Sequence, residues 1–193
     1  MELNEEVAKK VLALVDRGLV RGLGEAVPGK MCVEAAVCFA LGLPHGDNPP
    51  CVGEAVRTFK IRLNDSGWSS PESRAKGMRK LAIAQLGSDQ IDQKEFARML
   101  TEETIKQIVP VALRAAASLQ KEQTHKDALE FAAKNCEAEG TEKVAREAKA
   151  AAAAAYAYAA AARDRILSVM ADIGVSVLTK MGTQGSQWIG LCS

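Results

Sequence analysis

Aromatic residues make up only 4% of this 193-residue chain. Stacking platforms for single-stranded nucleic acid need more rings than that. Histidine is scarcer still, with only His45 and His125, which leaves few of the usual acid–base devices. The five cysteines, Cys32, Cys38, Cys51, Cys136 and Cys192, form no CxxC pair, so no metal or other cofactor is expected. Their odd number reads as reduced thiols. No apolar run approaches the ~20 residues of a membrane span. Met1–Glu6 lacks the basic-then-apolar order of a secretion signal. An excess of one charge sign is also missing, with 25 Lys and Arg against 24 Asp and Glu. These absences describe a cytoplasmic protein with no membrane partner and no nucleic-acid polymer as partner.

Strand signals are nearly absent too. No Asn-Gly or Asp-Gly hairpin occurs, and runs such as Ile189-Gly190-Leu191 are too short. Helix signals take their place. Val7, Val11, Leu14 and Val15 follow three-and-four spacing behind Asn4, a good N-cap. Lys30–Leu41 is almost wholly apolar and predicts a buried helix. Pro44, Pro49 and Pro50 forbid a helix in the connection that follows. Further helices are predicted from Cys51 to Leu63 and from Ser70-Pro71 to Leu86. Asp92 and Thr101 both resemble N-caps, and Pro110 predicts a kink or restart. The fold class is all-α.

The C-terminal third differs in composition. Ala148–Ala162 holds 12 Ala in 15 residues, broken by Lys149, Tyr156 and Tyr158. Alanine has the highest helix propensity, so this segment is expected to be helical, with Thr141 to about Met181 forming either one long helix or a tightly packed helical hairpin. The expected division is a globular helical domain over 1–120 and a long helical arm over 123–193. The Ala-rich helix, anchored at Tyr156 and Tyr158, is expected to join two copies in a homo-oligomer. Trp188 and Ile189 are expected to fold back over apolar surface.

One stretch concentrates candidate chemistry. Gly22, Gly24, Pro28, Gly29 and Lys30 come directly before a helix N-terminus. Free N–H groups there suit a phosphate, and Lys30 adds a charge. The plainer reading is a turn-rich lead into a buried helix. Glu34, one turn in, is either a ligand contact or a structural partner of Arg57 or Arg62. His45 and Asp47 with Cys38 or Cys51 suit a weak nucleophile arrangement, or plain turn chemistry. Cys51–Lys80 carries seven basic residues (Arg57, Lys60, Arg62, Arg74, Lys76, Arg79 and Lys80) against Glu54, Asp65 and Glu72. With Trp68 among them, this density suits a planar, phosphate-bearing ligand, or else a solvated helix face. The candidate ligand-binding set is Gly24, Gly29, Lys30, Glu34, Arg57, Lys60, Arg62 and Trp68.

Pro28–Val37, Leu43–Asp47, Arg62–Asp65 and Ala82–Ser88 together resemble an uncharacterised group of bacterial and phage proteins with Ala-rich C-terminal helices. The resemblance brings no activity or ligand with it. The residues themselves lead to a non-enzymatic protein that sequesters a small anionic, nucleotide-like ligand, such as a phage-encoded sponge for an immune signal (an anti-defence role). Two alternatives stand beside it: an interaction protein acting through its helical arm, and a Cys/His-dependent enzyme.

Overall fold

The computed structural model describes residues 2–151 and 163–193. Helix α1 spans Glu5–Val15, and Asn4 caps it by accepting the Val7 N–H at 3.0 Å. Helix α2 is shorter than the apolar run, at Val33–Ala40, because Cys32 takes the N-cap position. Helix α3 spans Glu54–Asn64, and α4 spans Pro71–Ala84 behind the Ser70 cap. These four helices start and stop where caps, glycines and prolines direct.

Helix α5 departs from expectation. It runs unbroken over Gln93–Leu119, so neither Thr101 nor Pro110 begins a new helix. The Thr101 hydroxyl donates back to the Ala97 carbonyl at 2.8 Å, which satisfies it in mid-helix. Pro110 removes one N–H from the ladder, but its ring is buried and its neighbours hold the chain helical. Helix α6 covers Gln123–Glu139 and ends at Gly140 in the left-handed region. Helix α7 covers Glu142–Ala151, and α8 covers Arg163–Lys180. The choice between one helix and a hairpin over Thr141–Met181 falls on 152–162, which lie outside the described residues. The expected oligomer seam at Tyr156 and Tyr158 lies there too. Among the described residues no strand forms, only an isolated bridge between Gly24 and Met31. None of their helices is long and apolar enough to cross a membrane.

The apolar clusters group the helices differently from the expected division at 120–123. One cluster joins α1, α2, α3 and α4 with Phe96 of α5 and with Ala171, Ile173, Val177 and Leu178 of α8. A second joins the later part of α5 to α6 and α7 through Leu113, Leu129, Ala133, Cys136 and Val144. Helix α8 therefore belongs to the first core rather than to a projecting arm, because its apolar face needs α4 and α5 to cover it. Beyond α8, a 3-10 segment at Gln184–Cys192 turns back, and Trp188 and Ile189 pack against that core.

The return is stitched to α4. Thr183 Oγ1 donates to the Ala84 carbonyl at 2.6 Å, and the Gly185 N–H donates to Leu86 at 2.7 Å. A β-carbon on Gly185 would overlap the Ile83 carbonyl oxygen. Gly185→Ala is expected to destabilise the protein by about 1–3 kcal/mol, as overpacking does. Gly190, with open space around its Cα, serves as control. Gly190→Ala should stay within about 0.5 kcal/mol of wild type. Urea unfolding of both variants measures the difference.

Candidate functional site

The loop before α2 folds around its glycines. Gly24 has φ +73°, and a β-carbon there would overlap the Lys30 carbonyl oxygen. That close approach is what lets the loop double back on itself. Several of its N–H groups are already engaged. Gly22 donates to Asp65 Oδ1 at 2.8 Å, Glu25 to the Lys30 carbonyl at 2.7 Å and Lys30 to the Val27 carbonyl at 2.9 Å. At the helix start, Val33 donates to Asn64 Oδ1 at 3.4 Å and Ala35 to Cys32 Sγ at 3.3 Å. The expected phosphate cradle therefore has few free donors. Gly29 turns at φ +87° against the Arg17 carbonyl, and Lys30 reaches into solvent, 3.5 Å from Glu25.

Glu34 does have a structural partner, and it is Lys60. Both side chains are 0% exposed, and Lys60 Nζ lies 3.3 Å from Glu34 Oε1. The proximity is that of an ion pair, yet neither group reaches a well-aligned hydrogen bond. Burial pushes the Glu34 carboxyl above its ordinary range, and Lys60, the strongest opposing influence, pulls it back. Burial likewise pushes the Lys60 ammonium below its ordinary range, opposed by Glu34. The partner is therefore neither Arg57 nor Arg62, the two expected, although Arg57 sits only three residues from Lys60 on α3. Arg57 instead faces Asp47 at 3.7 Å.

The other candidates scatter. Trp68 is only 7% exposed, donates its Nε1–H to the Leu63 carbonyl at 2.9 Å and lies over Gly77. It offers no open face for stacking. Arg62 lines a separate groove between α3 and α5. His45 Nε2 lies 3.1 Å from the Gly24 carbonyl, within the turn chemistry of that region. Burial raises the Cys38 and Cys51 thiols, each to about 11, which keeps them protonated and unreactive. Among the described residues no group of three or more His, Cys, Asp or Glu is arranged to hold a metal ion.

The basic stretch itself divides by depth. Arg74 turns inward, donating to the carbonyls of Asn64 at 2.8 Å and Leu19 at 3.0 Å. Lys76, Arg79 and Lys80 turn the other way, into a cleft of about 570 Å³ between α4 and α8. Arg165 and Ser168 of α8 face them, with Ser73 of α4 and Cys192 at the rim. Four cationic side chains meet two carboxylates there, Asp164 and Asp172. Arg79 is held by Asp16 at 2.7 and 3.1 Å, and those hydrogen bonds raise its pKa. Asp164 accepts the Ser69 N–H at 2.9 Å and the Ser69 hydroxyl, which holds its carboxyl below the ordinary range. Lys76, Lys80 and Arg165 have no ion-pair partner among the described residues. A cleft of this size and composition suits an anion with several oxygens.

The buried pair generates a test. Lys60→Met is expected to cost about 3–5 kcal/mol near neutral pH, because it strands a buried carboxylate. Adding Glu34→Leu should recover most of that loss. Denaturant unfolding reads both, and single variants costing under about 1 kcal/mol would refute the pairing.

Comparison of the chain with protein-family models, with curated proteins and with solved structures finds no match in any of the three, so the cleft is read from its geometry alone.

Proposed function

We propose that the protein binds and sequesters a small phosphate-bearing, nucleotide-like ligand in the cleft between α4 and α8. The carrying observation is that Lys76, Lys80 and Arg165 line it together with no ion-pair partner among the described residues. Lys76 and Lys80 are one turn apart on α4, where like charges repel by a few tenths of a kcal/mol. An anion between them relieves that repulsion. The guanidinium of Arg165 supports bidentate contact to a phosphate, and Ser73 and Ser168 add hydroxyl donors. This keeps the ligand chemistry read from the basic stretch and moves it away from the glycine loop. With Trp68 buried, recognition rests on phosphate groups rather than on base stacking.

A second reading, an interaction protein, has its own support. Val111, Leu119 and Phe131 on α5 and α6 are 51%, 56% and 66% exposed. Large apolar side chains left in solvent favour contact with another protein.

Inorganic pyrophosphate and a panel of nucleotides, titrated by calorimetry and thermal shift, test the first reading. Binding is expected to raise Tm and to weaken with salt. Lys80→Ala and Arg165→Ala should each weaken it about tenfold, the ~1.4 kcal/mol of one charged hydrogen bond. Lys30→Ala should leave it unchanged. No binding across the panel refutes the reading. Loss in Lys30→Ala with retention in Arg165→Ala returns the site to the glycine loop.

A further inference from the structure

A second concavity lies on the other side of α1, away from the basic cleft. Lys10, Ala13, Leu14 and Arg17 line it from one side, and Phe39 and Leu41 at the end of α2 line it from the other. Lys10, Ala13 and Leu14 follow i, i+3, i+4 spacing on one face of α1, and Arg17 follows in the turn just after its C-terminus. This face of α1 turns away from Ala8, Val11, Leu12 and Val15, which are buried in the core. A solvated helix face is normally polar along its middle. Here the middle is Ala13 and Leu14, and the ends are cations. Phe39 stands over the same groove at 44% exposure, which is unusual for a large ring beside a packed core.

The charges at the rim choose the occupant. Lys10 and Arg17 have no ion-pair partner among the described residues, and no carboxylate lines the groove. Their neighbours are otherwise committed: Lys9 is held by Glu5 and Glu6, and Asp16 by Arg79. The two cations lie seven residues apart, Lys10 on α1 and Arg17 in the turn after its last residue. A helix that presents carboxylates two turns apart, with apolar side chains between them, matches both rim charges and the apolar floor at once. A concavity of about 580 Å³ accepts such a ridge of side chains.

We propose that this groove docks an acidic amphipathic helix of a partner protein. Phe39 and Leu14 supply the apolar contact, and Lys10 and Arg17 fix register and polarity. The proposal is independent of the anion cleft, since the two share no lining residue.

The test uses the full chain and two synthetic helical peptides. The first, of about four turns (~15 residues), carries glutamates seven apart with leucines at the three-and-four positions between them. The second replaces the glutamates by lysines. Fluorescence anisotropy should show the acidic peptide binding and the basic one failing, with affinity falling as salt rises. Phe39→Ala should weaken binding at least about tenfold. The Lys10→Glu, Arg17→Glu double variant should lose the acidic peptide and gain the basic one. All three substitutions lie on the surface, and circular dichroism confirms that the variants remain folded. Binding of neither peptide overturns the proposal, as do equal binding of both and binding unaffected by the charge reversal. Concentration-dependent self-association that Phe39→Ala abolishes also overturns it, by making a second copy the occupant.

Discussion

Helix α4 must be covered along most of its second half, because Met78, Leu81, Ala82, Ile83 and Ala84 leave only Arg79 and Lys80 to face water there. All five apolar residues are 0% exposed. Each neighbour removes part of that surface from water, at about 25 cal/mol per Å² of apolar area. No single stretch of chain supplies enough cover. Helix α1 comes from the beginning of the sequence, and α8 and the 3-10 return come from the end. Helix α8 and the return after it are thus drawn into the core by the needs of a helix about ninety residues earlier. The same constraint builds the basic cleft. Where α8 crosses α4, the residues left to solvent are Ser73, Lys76 and Lys80, so their charges line the groove between the two helices.

The Glu34–Lys60 pair is a second constraint, of a different kind. Removing two charges from water costs more than their attraction readily returns. Removing one partner strands the other, whereas replacing both by apolar groups is close to neutral. Lys60 must enter the core where Glu34 waits, which fixes the rotation of α3 against α2. That rotation aims Arg57 at Asp47 and leaves Arg62 facing α5. One buried contact therefore separates three basic residues that lie within six positions of each other.

Much of the fold was legible before any tertiary contact was known. Asn4, Ser70 and Asp92 cap their helices because a side-chain oxygen there satisfies N–H groups that the helix leaves unpaired. The apolar run of α2 announced its burial. Thr101 misled, and Pro110 starts no new helix, because their local preferences are worth little beside the packing of a long helix whose inner face carries Ile105, Leu113 and Ala116. The site was less legible. The excess of basic residues was visible between 51 and 80, but their depth was not. Glycines before a helix suggested free N–H donors, while Asp65 and Asn64, more than thirty residues away, engage two of them.

By itself the sequence determined the helical class, most helix ends, the buried character of α2 and the local excess of positive charge. All of these follow from caps, glycines, prolines and spacing within a turn or two of chain. Tertiary structure alone decided that Lys60 rather than Arg57 or Arg62 meets Glu34, that Trp68 is covered, and that α8 lies against α4. It also decided that Arg165 joins Lys76 and Lys80 across a gap of some ninety residues. Such pairings depend on which faces must leave water together, and that is a property of the whole chain rather than of any segment.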